Sequence, residues 1–275
     1  MTAPNVDSAV EIALAAGSLL RYYFERKVTF DLKAEYDLVT EADRASEKMV
    51  VEMLRAKFPG HGIVAEEGGG NEAQSDYRWF VDPLDGTSNF AHGYPVWCVT
   101  LAAEKDGELI VGVTYDPTRD ELFTAERGGG AYMNGRRLRV SNTAMLASAM
   151  MVTGFPNHNR LANPNIHFYH QMAVSTHGVR RSGSAALDMA SVASGRLDSF
   201  WEIGLNPWDI AAGKLLVTEA GGRCTTMTGD PHHHVGAPHL LADNSLLHDE
   251  TIERFREIFA GKPRHPYPAL GPALG

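Results

Sequence analysis

Apolar residues in 5–26 recur at helical spacing, with Val6, Val10, Ala13, Leu14 and Leu20 on one stripe, and predict an amphipathic helix. A second helix is expected from near Thr40, carrying Met49, Val50, Met53 and Leu54 and stopping at Pro59-Gly60. Strand-like segments then take over. Residues 78–82 read as a short apolar strand. Residues 96–104 and 109–115 flank Asp106-Gly107, a strong hairpin signal. Residues 121–125 and 131–133 extend the sheet, with the next turn at Asn134-Gly135.

Beyond about residue 145 strands and helices alternate. Residues 149–153, 198–201 and 240–242 read as strands; 165–175, 184–194, 209–220 and 244–259 read as helices. Gly221-Gly222 is a good C-terminal stop for the third of these. No repeat and no Pro/Gly linker divides the chain, which predicts one unit of two halves with a cleft between them. The first half, 1–145, is helices plus a β-meander, and the second, 146–262, is α/β. Residues 263–275 hold Pro263, Pro266, Pro268 and Pro272 without an apolar period, and are expected to form a flexible or loosely docked tail.

Composition narrows the function. A chain that is 44% hydrophobic and 21% charged is ordinary for a globular protein. A net charge of −9 argues against nucleic acid as the main ligand, which calls for a basic face. An acidic enzyme acting on a phosphorylated substrate needs local positive charge, and bound metal can supply it. No apolar run is long enough to span a membrane, and the N-terminus lacks the features of a signal peptide. Cys98 and Cys224 are the only cysteines and have no CxxC spacing, so two thiols in a reducing cytoplasm are expected.

The chemistry concentrates where an apolar strand runs into Asp82-Pro83-Leu84-Asp85-Gly86-Thr87-Ser88-Asn89-Phe90. Pro83 fixes φ and forces a turn that can aim both carboxylates and the Leu84 carbonyl at one spot. Oxygen donors of this kind suit a hard cation such as Mg²⁺. A helix starting at Gly86-Thr87 would add N–H groups for an anion. The plainer reading is a capped turn. Glu66-Glu67 follows the apolar residues 63–65 and precedes three glycines; alone it reads as surface charge. Asp209, just before Ile210-Ala211-Ala212-Gly213, alone reads as an N-cap.

Taken in order, these stretches resemble the inositol monophosphatase family. Its blocks look like a Glu-Glu pair, an Asp-Pro-(Ile/Leu)-Asp-Gly-Thr-x-Asn-Phe run, Trp-Asp-x-Ala-Ala-Gly, and Glu-Ala-Gly-Gly. Here they stand as Glu66-Glu67, Asp82 to Phe90, Trp208 to Gly213, and Glu219 to Gly222, with Ala65 in place of a glycine usual before the pair. The resemblance runs from Lys33 to Asn244 and includes residues 37–43 and 180–186. It implies a mixed α+β and α/β fold, a layered αβαβα sandwich of the inositol monophosphatase and fructose-1,6-bisphosphatase type. It also implies two to three Mg²⁺ ions, a small phosphorylated alcohol as substrate, lithium sensitivity and a homodimer; charge and the lack of a spanning run leave neither nucleic acid nor membrane as an expected partner.

By the same resemblance Glu66, Asp82 and the Leu84 carbonyl look like ligands of one ion, and Asp82, Asp85 and Asp209 of a second, with Glu66 helping a third. Thr87 with Asp43 is similar to the pair that orients the attacking water. The N–H groups of Gly86 and Thr87 would take the phosphate. Gly183, Ser184 and Ala185, with Arg180 and with Glu202 just past a strand, would contact the alcohol. Ser88 to Gly93 resembles the inositol phosphatase pattern, whereas relatives acting on histidinol phosphate or 3′-phosphonucleotides more often carry Lys at the position of Ser88. Fructose 1,6-bisphosphate is a further alternative substrate, and a regulatory binding protein that keeps the fold is an alternative of another class.

Several features are expected to be structural. His232-His233-His234 reads as a solvated loop and Gly128-Gly129-Gly130 precedes a strand rather than forming a nucleotide loop. Residues 145–151 and Cys98 read as core, and Trp201 as packing beneath the cleft.

Overall fold

The computed structural model describes residues 2–268, apart from 27–29, 35–36, 72–74, 156–161, 232–234 and 238. The histidine run and the last residues of the tail therefore lie outside the described residues. The first helix is α1 (Val6–Phe24), capped by the Asn5 side chain, which accepts from the Ser8 amide. A two-stranded hairpin follows, β1 (Phe30–Ala34) and β2 (Asp37–Thr40). It leads into α2 (Glu41–Lys57), which starts with a capping box between Thr40 and Asp43.

A seven-stranded sheet comes next, in the order β3 (Gly62–Ala65), β4 (Tyr77–Asp85), β5 (Cys98–Lys105), β6 (Glu108–Asp116), β7 (Glu121–Glu126), β8 (Gly130–Met133) and β9 (Arg136–Arg137). Strands β3 and β4 are parallel; the remaining pairs are antiparallel. Between β4 and β5 sits the short helix α3 (Thr87–Ala91).

The second half supplies β10 (Met150–Thr153), α4 (Asn165–Ser175), β11 (Gly178–Arg180), α5 (Ala185–Ala193), β12 (Ser199–Ile203), α6 (Pro207–Glu219), β13 (Arg223–Thr225), β14 (His239–Asp243) and α7 (His248–Phe259). Its sheet has the order β11-β10-β12-β14-β13, parallel over β11, β10 and β12 and antiparallel at β14.

The layering follows from which side chains alternate to which face. In β5, Val99, Leu101 and Ala103 join Ile12, Leu20 and Leu54 of the outer helices, while Ala102 meets Ala211 and Ala212 of α6. In β12, Phe200 joins Met189 and Ile210 of α5 and α6, while Trp201 turns to Phe168 and Phe255 of α4 and α7. Every layer is thus helix on sheet with both sheet faces covered, and the order is α1/α2, seven strands, α5/α6, five strands, α4/α7. This is the expected αβαβα sandwich.

Three local expectations change, and a fourth is narrowed. Glu202 lies inside β12, not past it. Asp209 is the third residue of α6, and Asn206 is the N-cap; the Asp209 carboxylate accepts from the Asn206 amide at 2.7 Å. Residues 145–151 are only partly core: Met151 is buried, but Met145 is 66% exposed. The described part of the tail, expected to be flexible or loosely docked, is docked on the surface with its side chains exposed. Its His265 amide donates to Gln171 Oε1 (2.9 Å), the Gln171 amide donates back to the His265 carbonyl, and Tyr267 stacks on His170.

Candidate active site

Each half contributes one wall. From the first, β4 runs apolar through Trp79, Phe80 and Val81 and carries Asp82 and Asp85 at its end, both still paired with β5 and separated by Pro83 and Leu84. The β4–β5 register slips between Asp82 and Asp85, which is the turn written as an irregularity in the ladder. Gly86 then adopts φ +93°, and a Cβ there would sit 2.8 Å from the Val96 carbonyl, so α3 can start only after a glycine.

Helix α2 lies against this turn. Asp43, fully buried, accepts from the Thr40 amide and hydroxyl on one oxygen (2.7 and 2.6 Å) and from the Thr87 hydroxyl on the other (2.9 Å). The Thr87 hydroxyl also stands 3.0 Å from the Leu84 carbonyl. One turn further along α2, Ser46 donates to the Pro83 carbonyl (2.9 Å), and the Glu47 carboxylate accepts from the Glu67 and Gly69 amides (both 2.7 Å).

The second half brings Asp209 from the first turn of α6 and the loop before α5. Ser184, the N-cap of α5, donates to Asp85 (2.6 Å), and the Ala186 amide donates to the same oxygen (2.7 Å). The Asn89 amide bridges the halves, donating to the carbonyls of Val96 and Ser182 (2.8 and 2.9 Å).

The charges of Glu66, Asp85 and Asp209 all reach Asp82, so four carboxylates converge on one region. Burial first, and then the charges of Glu66, Asp85 and Asp209, push the Asp82 carboxyl well above the usual range. Burial likewise raises Asp85, against the hydrogen bonds from Ser184 and Ala186, and raises Asp209 well above its ordinary value. The cost of keeping such buried acids charged is what a divalent cation removes. The donor set, carboxylates plus the Leu84 carbonyl, is that of a hard cation and fits Mg²⁺. Among the described residues no group of three or more acids, histidines or cysteines stands in metal-holding geometry, so the fit rests on donor chemistry and convergence.

Away from the cluster, Glu202 is buried against Gly154, where a Cβ would overlap its carboxylate. Burial first, then the charge of Asp188, holds Glu202 well above the ordinary value, with Arg181 acting the other way. Arg180 is exposed and its guanidinium lies over Gly178. The arginine whose charge reaches Glu202 and Asp188 is Arg181, next to the residue expected from the sequence.

The family model described as the inositol monophosphatase family matches residues 3–260. The chain belongs to this family. Among relatives of the inositol monophosphatase family, an inositol-1-monophosphatase of Mesorhizobium japonicum is 47% identical over 225 residues, covering 80% of this chain and 84% of its own. A Nus factor SuhB of Pseudomonas aeruginosa is 44% identical over 250 residues, covering 88% and 92%. The solved structure of an inositol monophosphatase from Anabaena (Nostoc) superposes with a TM-score of 0.81 at 43% identity, covering 90% of this chain and 93% of that one.

The structure brings together Asp43, Thr87, Glu66, Asp82, Leu84, Asp85, Asp209 and Ser184. Sequence reasoning missed Ser46, Glu47, Asn89, Arg181 and Asp188. Ser46 and Glu47 left a signal: with Asp43 they repeat at i, i+3 and i+4 on the face of α2 that also buries Val50 and Leu54. Glu219, in the last motif, proves to be a fastening. Its carboxylate accepts from the Gly128 and Gly130 amides (2.8 and 2.9 Å), which explains the glycine run.

Proposed function

We propose that the protein is a Mg²⁺-dependent phosphatase that hydrolyses inositol monophosphate to inositol and phosphate. The observation that carries this reading is the Thr87 hydroxyl, held between the Asp43 carboxylate and the Leu84 carbonyl at the edge of the four-acid cluster. Glu66, Asp82, Asp85, Asp209 and the Leu84 carbonyl would hold two to three Mg²⁺ ions. Bound there, the metal would supply Lewis-acid activation of a water and positive charge for the phosphate and leaving-group oxygens.

The chain's own residues do the rest. Thr87 donates its proton to Asp43, which leaves the threonine oxygen free to accept from a water and orient it toward phosphorus. Asp43, fixed by two further hydrogen bonds from Thr40, is the base that Thr87 is not, and takes the proton through it. The Gly86 and Thr87 amides would donate to the phosphate. Glu202 would hydrogen-bond hydroxyls of the alcohol, with Arg181 rather than Arg180 acting on its charge. A cytoplasmic, lithium-sensitive homodimer belongs to the same reading.

Phosphate release from inositol 1-phosphate, histidinol phosphate, fructose 1,6-bisphosphate and a 3′-phosphonucleotide, with Mg²⁺ and with EDTA, tests it. Fastest EDTA-sensitive release from inositol 1-phosphate is expected; a faster bisphosphate or nucleotide would reassign the substrate. A second reading, a regulatory protein that keeps the site, is favoured by the Nus factor name of the Pseudomonas relative. Absence of release from every substrate with Mg²⁺ would select it.

A further inference from the structure

We propose that Glu47, together with Ser46, is a positioning residue for the metal site, and that α2 is the template that sets the Glu66 loop against the Asp82–Asp85 turn. The proposal rests on the phosphatase reading for its consequence in turnover but not for its geometry. Strand β3 ends its parallel pairing with β4 at Ala65 and Val81, and the Glu66 amide makes one more bond, to the Val81 carbonyl at 3.2 Å. Past that point the chain leaves the sheet, so the place of the Glu66 carboxylate depends on what holds residues 67–69.

Glu47 holds them. It is 4% exposed, and its two oxygens each accept from a different backbone amide, Glu67 and Gly69, at 2.7 Å. With both oxygens so occupied, Glu47 is a clamp rather than a ligand. Arg55, two turns along α2, donates to the Gly69 carbonyl at 3.0 Å and closes the loop from the other side. One residue before Glu47, Ser46 is fully buried and donates to the Pro83 carbonyl, the bend between the two aspartates. Four residues before it, Asp43 holds Thr87.

A single helical turn, with a rise of about 6 Å over four residues, thus carries three fastenings to three separate pieces of the site. A helix keeps that spacing far better than two loops could. The loops are joined to one another by β3 and β4, but their tips are registered through α2. Residues that orient metal ligands in this way typically govern affinity by about 10–100-fold when removed.

Glu47→Gln is the test, because it keeps size and shape but turns an NH₂ toward a backbone N–H. In the metal-free protein, amide exchange at Glu67 and Gly69 is expected to quicken about tenfold or more, with α1 unchanged. Calorimetric Mg²⁺ affinity is expected to fall about tenfold, and the Mg²⁺ concentration for half-maximal phosphate release to rise with it. kcat at saturating Mg²⁺ is expected to fall much less. Native exchange at both amides, or unchanged Mg²⁺ affinity, would overturn the proposal; so would an equal loss of kcat and affinity, which marks general damage. Should the variant fail to fold, Ser46→Ala decides: weaker Mg²⁺ binding supports the template, unchanged binding sinks it. If the unmodified protein releases no phosphate, the phosphatase reading fails, yet exchange and calorimetry still judge the clamp.

Discussion

A hydroxyl carries one proton, and Thr87 faces two acceptors, Asp43 Oδ1 at 2.9 Å and the Leu84 carbonyl at 3.0 Å. The charged acceptor wins, since hydrogen bonds to ionised groups are about twice as strong as neutral ones. The carbonyl then keeps its lone pairs for a cation. Thr87→Ala is therefore expected to lower kcat by about 100-fold or more, the usual weight of a proton-transfer partner, with little change in half-saturating Mg²⁺. A metal titration of the variant checks it; preserved kcat with a large shift in Mg²⁺ would assign Thr87 to the metal. Asp85 differs in kind. One of its oxygens is already used by Ser184 and Ala186, so Asp85→Asn keeps a hydrogen-bonding shape and loses charge. Activity is expected to fall by about 1,000-fold or more, roughly 4 kcal/mol of barrier, while the melting temperature in EDTA holds or rises.

Among the elements, β12 does two jobs with adjacent residues. Trp201 faces the outer layer, with its indole N–H donating to Asn165, and Glu202 faces the site. Glu202→Gln is expected to raise KM for inositol 1-phosphate more than for glycerol 2-phosphate, since each charged hydrogen bond to a hydroxyl is worth about 1.5–3 kcal/mol. Parallel kinetics on the two substrates decide; equal effects would place Glu202 outside the alcohol pocket. Helix α6 is fixed at both ends, by Asp209 in the site and by Glu219 in the Gly128–Gly130 loop. Losing the latter, half-exposed contact in Glu219→Ala should cost about 1 kcal/mol, a fall of roughly 2–4 °C in Tm. The long helices and the Pro83 turn were legible because period and proline act locally. Strands β11 and β13, three residues each, are too short to show a period, and β3 passed unread as part of an apolar segment. Ser46 and Glu47 show in the sequence only as polar residues on the apolar face of α2, which does not say which loops fold onto them. Asp209 could be read as a cap in the sequence because a capping-box acid and a capping residue differ by only three positions.

For the molecule as a whole, Asp82, Asp85, Asp188, Glu202 and Asp209 all have carboxyls raised by burial. A raised carboxyl binds protons more tightly folded than unfolded, so without metal the folded state loses stability as pH rises above about 4, the unfolded value, through the folded values. Melting in EDTA is expected to show Tm falling from pH 5 to 8 apart from other groups' contributions, and Mg²⁺ is expected to restore most of the loss at pH 8. An EDTA melt independent of pH would mean the acids are relieved by other groups. The tail enters at this scale too. Because residues 264–267 bridge α7 to α4 through Glu257, Gln171 and His170, deleting 263–275 should lower Tm by a few degrees. Turnover should be unchanged, and an unaltered melt would show the strap to be idle.

The middle helical layer has a consequence during synthesis. The seven-stranded sheet is complete once Arg137 has emerged, but the face that carries Phe80, Ala102 and Phe123 is roofed by α6, which ends at Glu219. At about 5–20 residues per second, a ribosome leaves that greasy underside bare for roughly 4–16 s. A nascent chain in this interval is a client for chaperones, and residues 1–145 expressed alone are expected to be recovered as aggregate. The order in which the layers are made, rather than their final stability, then sets how much folded protein a cell obtains.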